Sequence, residues 1–73
     1  MPKLPSVSGQ EIIRALERLG FVVNSQKGSH VKLKCGEKIC IVPAHKEVRK
    51  GTLAGILRQA DVSADELIKA LAQ

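Results

Sequence analysis

Seventy-three residues allow one small domain over residues 1–73, and a chain this short buries only about 60% of the surface its unfolded form exposes, which leaves little room for a deep enclosed site. With 44% hydrophobic and 26% charged residues the composition is globular, without low-complexity tracts or repeats, and no apolar run approaches the roughly 18 residues of a membrane span. The net charge of +5 favours a polyanion or an acidic partner, while Phe21, the one aromatic residue, argues against modules that stack bases on aromatic platforms.

Met1-Pro2-Lys3-Leu4-Pro5 lacks the hydrophobic stretch of a signal peptide, which makes the cytoplasm the expected location. Ser8-Gly9-Gln10-Glu11 reads as a capping box, and Ile12, Ile13, Leu16 and Leu19 then repeat at helical spacing up to Gly20. A first helix is expected over 9–19. Phe21-Val22-Val23 opens a first strand that loses its apolar character by Ser25-Gln26-Lys27, where Gly28 interrupts the chain. From Ser29 to Cys35 the residues alternate, with Val31, Leu33 and Cys35 on one face and His30, Lys32 and Lys34 on the other. Gly36-Glu37-Lys38 is a turn, and Ile39 to Val42 returns as a third strand that Pro43 ends. A three-residue loop pairs Cys35 with Ile39 and Leu33 with Ile41, gathering the apolar side chains on one face, and is the expected register. His30, Lys32 and Lys34 then share the open face with Cys40 and Val42.

A basic connection follows from Pro43 to Gly51. Thr52 starts a second helix with Leu53, Ile56 and Leu57 inward, ending near Ala60. Ser63-Ala64-Asp65-Glu66 is a second capping box, opening a short helix with Leu67, Ile68 and Leu71 inward. The order is α-β-β-β-α-α, an α+β fold in which helices cover one face of a three-stranded antiparallel sheet.

The charge is concentrated. Lys27, Lys32, Lys34, Lys38, Lys46, Arg49 and Lys50 face only Glu37 and Glu47 within residues 27–50, a surplus of five, whereas the rest of the chain balances five bases with five acids. Both histidines lie in the same segment. His30, Cys35, Cys40 and His45 invite a zinc reading, but their uniform spacing of five lacks the close ligand pairs of structural zinc sites. On the expected register Cys35 and Cys40 also face opposite ways, which disfavours a disulfide. No metal and no cofactor are expected.

His30 is either an exposed strand histidine without a task or a proton-transfer group. It follows Gly28, which permits close approach of the backbone to a ligand, and it shares a face with Lys32 and Lys34 inside the charged segment. Those residue types suit RNA cleavage. Attack of a ribose 2′-hydroxyl on phosphate needs a group that moves protons near neutral pH, with cations such as Lys27, Lys32 or Lys34 stabilising the accumulating charge. Nothing in the segment resembles a carboxylate cluster for magnesium, so the chemistry is expected to be metal-independent. His45 is a second proton-transfer group, a phosphate donor or a solvent-exposed loop residue. Ser29 has no base-and-orienter arrangement and is read as orienting His30 or a phosphate.

In this order and spacing, Ser8-Gly9-Gln10-Glu11-Ile12-Ile13, Leu19-Gly20-Phe21, Gly28-Ser29-His30, Pro43-Ala44-His45 and Lys50-Gly51-Thr52-Leu53-Ala54-Gly55-Ile56-Leu57 resemble the HicA (YcfA-like) family. The resemblance implies an mRNA interferase, the toxin of a toxin–antitoxin pair, on a fold similar to the double-stranded RNA-binding domain. It implies that His30 of the Gly-Ser-His motif is catalytic and that a HicB antitoxin blocks that histidine; on the reading of the residues above, Lys27, Gly28, Ser29, Lys32, Lys34 and His45 are the candidates to bind RNA phosphates around it. A non-catalytic RNA-binding or antitoxin-binding module on the same fold is the alternative. Three departures stand out: Arg58 is the only basic residue in the expected second helix, Ala44 replaces a commonly basic residue, and Asp61 stands where a helix-ending glycine is common.

Overall fold

Both capping boxes form. In a computed structural model that describes residues 6–73, the Glu11 amide donates to Ser8 Oγ and the Ser8 amide to Glu11 Oε1, each at 3.1 Å, and Ser63 and Glu66 repeat the exchange. Helices α1 (Gly9–Arg18) and α3 (Ala64–Leu71) start at these caps. The segment Met1–Pro5, read above for a leader, lies outside the described residues.

Between α1 and the last two helices the chain makes a three-strand antiparallel meander, β1 (Val22–Lys27), β2 (His30–Cys35) and β3 (Lys38–Pro43), in the order β1-β2-β3. The α+β architecture is therefore the one expected from the sequence. Val31, Leu33, Cys40 and Val42 face the helices and join Ile12, Leu16, Leu53 and Leu67 in one core, while Phe21 is buried just before β1. Arg18 ties α1 to α3 by donating to the Ala70 carbonyl at 2.8 Å. Helix α2 (Lys50–Ala60) packs mainly on β3.

Several local expectations need correction. The β2–β3 hairpin has a two-residue loop, Gly36-Glu37, so Cys35 opposes Lys38, Leu33 opposes Cys40, and Lys32 opposes Ile41. Gly36 sits at φ +61°, the positive φ at the first loop position that suits a two-residue turn to the strand twist. Ile39 to Val42 is apolar throughout, so alternation alone did not say which pair turns inward; the turn selects Cys40 and Val42. Ile39 and Ile41 are left on the open face, 41% and 46% exposed. Cys35 and Cys40 consequently face the same, helix-covered side, and both thiols are free.

Gly28 and Ser29 likewise form a two-residue turn, with Gly28 at φ +60°, so Ser29 precedes β2 and His30 is its first residue. The second helix begins two residues early and includes Lys50, so Arg58 is not its only base. Its N-cap, Arg49, makes no side-chain capping bond and its first turn has no acid. Asp61 itself takes the left-handed conformation after α2, at φ +56°, the helix-ending role in which glycine is common. It also meets Lys38 at 3.3 Å, an exposed pair of little energetic weight.

Candidate functional site

Directly opposed residues in an antiparallel ladder point to the same face. On the open face this produces three rows across the sheet. Lys27, His30 and Pro43 form the first, Ser25, Lys32 and Ile41 the second, and Val22, Lys34 and Ile39 the third. No carboxylate stands in any row, and among the described residues no other element covers this face.

A β-bulge between Val23 and Ser25 decides which β1 side chains take part. Without it, the in-phase ladder from Val22–Lys34 would set Asn24 opposite Lys32 and Gln26 opposite His30. The extra residue shifts the phase and delivers Ser25 and Lys27 instead. Bulges re-aim side chains in this way at the cost of local pairing.

Ser25, Lys27, His30, Lys32 and Ile41 line an open depression of about 460 Å³. His30 and Lys27 are exposed and Lys32 is half-buried. Among the described residues the side chains of Lys27, His30, Lys32 and Lys34 make no hydrogen bond or ion pair, so all four are available to a ligand. The Gly28-Ser29 turn at the rim is held from two sides. Gln26 Nε2 donates to the Gly28 carbonyl at 3.2 Å, and the Ala44 amide donates to the Ser29 carbonyl at 2.6 Å.

The structure thus gathers Lys27, His30 and Lys32 of the residues singled out in the sequence. Lys34 lies one row beyond the depression, and Gly28 and Ser29 contribute the turn. His45 is exposed in the connection after β3, and its carbonyl accepts from the Gly9 amide at 2.8 Å; its side chain does not line the depression. Ser25 and Ile41 were missed. A glycine opening a two-residue hairpin loop was the available signal for the Lys27–His30 pair, but the bulge that aligns Ser25 has no comparable mark.

A second hollow of about 470 Å³ lies at the corner between α2 and α3, lined mainly by apolar atoms with Arg58, Asp61 and Glu66. It holds no histidine, and its one cation, Arg58, stands beside the carboxylates of Asp61 and Glu66, so the chemistry favours the sheet. No three His, Cys, Asp or Glu side chains come together for a metal among the described residues.

A family model described as the HicA toxin of bacterial toxin–antitoxin systems matches residues 9–62, from the start of α1 to just past α2. The chain belongs to the HicA toxin family. No curated protein matches it. Membership makes this HicA chain the toxin of a toxin–antitoxin pair, and the matched region contains every residue of the depression. No helix among its described residues is long and apolar enough to cross a membrane.

Proposed function

We propose that this HicA toxin is a metal-independent endoribonuclease, an mRNA interferase in which His30 moves the proton. The observation that carries the reading is the direct opposition of His30 and Lys27 across the β1–β2 ladder, in a depression completed by Lys32, with none of the three side chains engaged by another of the described residues.

In the cleavage step the ribose 2′-oxygen bonds to the adjacent phosphorus and the bond to the 5′-oxygen breaks. The 2′-hydroxyl gives up its proton and the departing 5′-oxygen gains one. His30 is the group on this face suited to such transfer near neutral pH. Lys27 and Lys32 flank it and stabilise charge on the non-bridging oxygens, a role worth on the order of 10²–10³ in rate per donor in comparable sites. Gly28 and Ser29 hold the rim close to the phosphate, and Lys34 and His45 extend the contact with RNA beyond the depression. The open face carries no carboxylate to hold a divalent ion, which supports chemistry through side chains alone. A HicB-type antitoxin is the partner expected to cover this cationic and apolar face.

Purified wild-type protein should cleave RNA in the presence of a chelator. His30→Ala should remain folded and lose roughly 10²–10⁴ in rate, the span typical of a general acid–base group. Full activity in His30→Ala would overturn the assignment of His30. RNA binding without cleavage by the wild type would favour the non-catalytic module, and cleavage restricted to added divalent ions would refute the metal-independent step.

A further inference from the structure

The depression combines two kinds of surface. Lys27, His30 and Lys32 are cationic or protonatable, whereas Ile41 is apolar and still 46% exposed beside them. A nucleotide uses both, its phosphate meeting the charges and its base the apolar surface. Alternate residues along a strand lie about 7 Å apart, so the row holding Ser25, Lys32 and Ile41 is one short step from His30, within reach of the nucleotide attached to a phosphate held there. Ser25 adds a hydroxyl that both donates and accepts hydrogen bonds. It reaches this row only because the bulge displaces Asn24 from the ladder.

We propose that the depression is a single-nucleotide subsite, in which Ile41 underlies the base, Ser25 hydrogen-bonds its edge, and the two residues together set the cleavage-site preference. This rests on the endoribonuclease reading and deepens it. Lys27, across the ladder from His30, and Lys32, two residues along its strand, hold the phosphate without regard to sequence, as phosphate contacts do. Discrimination falls to the apolar floor and the single hydroxyl. The third row lies beyond the depression, and its Ile39, 41% exposed against 46% for Ile41, supplies an internal comparison.

The test is to sequence the ends produced from a mixed-sequence RNA by wild type, Ser25→Ala, Ile41→Thr and Ile39→Thr. Threonine retains strand propensity at these exposed positions, so folding should be preserved, which circular dichroism checks. Ser25→Ala and Ile41→Thr should each lower cleavage at preferred sites roughly tenfold, as for loss of one specific pocket contact, and change disfavoured sites far less. Ile39→Thr should keep the wild-type pattern. An unchanged pattern in both subsite variants, a wild type with no base preference, or an equal effect of Ile39→Thr would overturn the subsite. So would an Ile41→Thr protein that loses grip on an acidic antitoxin while cutting RNA as before, because the face would then serve protein recognition. If the wild type cuts no RNA, the endoribonuclease reading fails separately. In that event a 2′-O-methyl oligonucleotide titrated into His30→Ala decides the subsite: amide shifts concentrated at Ser25, Lys32 and Ile41 support it, and shifts elsewhere reject it.

Discussion

Cys40 lies opposite Leu33 on the helix side of the sheet and is 1% exposed. Burial disfavours its thiolate and pushes the thiol from 9.0 up to about 11. The unfolded chain therefore releases this proton near pH 9 while the folded chain keeps it. The contribution of this thiol to stability is fully present below pH 9 and is lost as pH rises from there through about 11, because the unfolded state then binds fewer protons. Urea midpoints for wild type and Cys40→Val at pH 8 and pH 10.5 read this directly. The wild type should lose about 2 kcal/mol more than the variant over that range. Equal losses would mean the thiolate is not desolvated in the native state. The histidine is a different case at this scale. Nothing among the described residues engages His30, so its role is set by which side chains share its row.

Among the elements, α1 and the end of β3 are joined through a glycine. A Cβ built on Gly9 would overlap the Pro43 carbonyl oxygen and stand 2.9 Å from Ala44 Cα. The Gly9 amide also donates to the His45 carbonyl at 2.8 Å. Alanine is intrinsically the better helix former by up to about 1 kcal/mol, but here the backbone of one element must retreat from the other. Gly9→Ala should destabilise the protein by about 2 kcal/mol, in the range of overpacking, as measured by denaturant unfolding. Since Pro43 pairs with His30, RNA cleavage should fall as well. A neutral Gly9→Ala would show that the contact yields easily. The helix starts differ in how readily they are seen. Serine and glutamate three residues apart mark α1 and α3, whereas α2 begins at Arg49–Lys50 without a side-chain cap and against the helix dipole. Its hold on the fold comes from Leu53, Ile56 and Leu57 packed inward.

Across the whole molecule, the surplus of five positive charges in residues 27–50 divides between two places. Lys27, Lys32 and Lys34 stand on the open sheet face, and Lys46, Arg49 and Lys50 lie in the connection and the start of α2. The rest of the sequence balances five bases with five acids, and Lys38 is already beside Asp61. RNA held on the sheet should thus release counterions in proportion to the lysines it meets. Binding of a non-cleavable oligonucleotide by His30→Ala should weaken with salt. Each of Lys27→Gln, Lys32→Gln and Lys34→Gln should reduce the log–log slope by about 0.7, the single-strand value per phosphate contact. Slopes untouched by all three, but reduced by Lys46→Gln or Lys50→Gln, would move the RNA to the connection.

Element order, both capping boxes, the inward faces of α1 and α2 and the alternation of β2 were legible in residue patterns, because they depend on local bonding and a regular period, whereas in α3 Ala70 rather than Ile68 joins Leu67 in the core. The Lys32 and Lys34 side of β2 was legible for the same reason. The β3 register was not, since Ile39, Cys40, Ile41 and Val42 are apolar on both faces and only the Gly36-Glu37 turn separates the alternatives. Nor was the company His30 keeps. Lys27 and Ser25 come from β1 and Ile41 from β3, and a turn and a bulge adjust strand phase by single residues. A shift of one residue reverses a strand's faces. Phase of that kind is settled where the ladders, the buried Phe21 and the core meet, which is a property of the folded sheet.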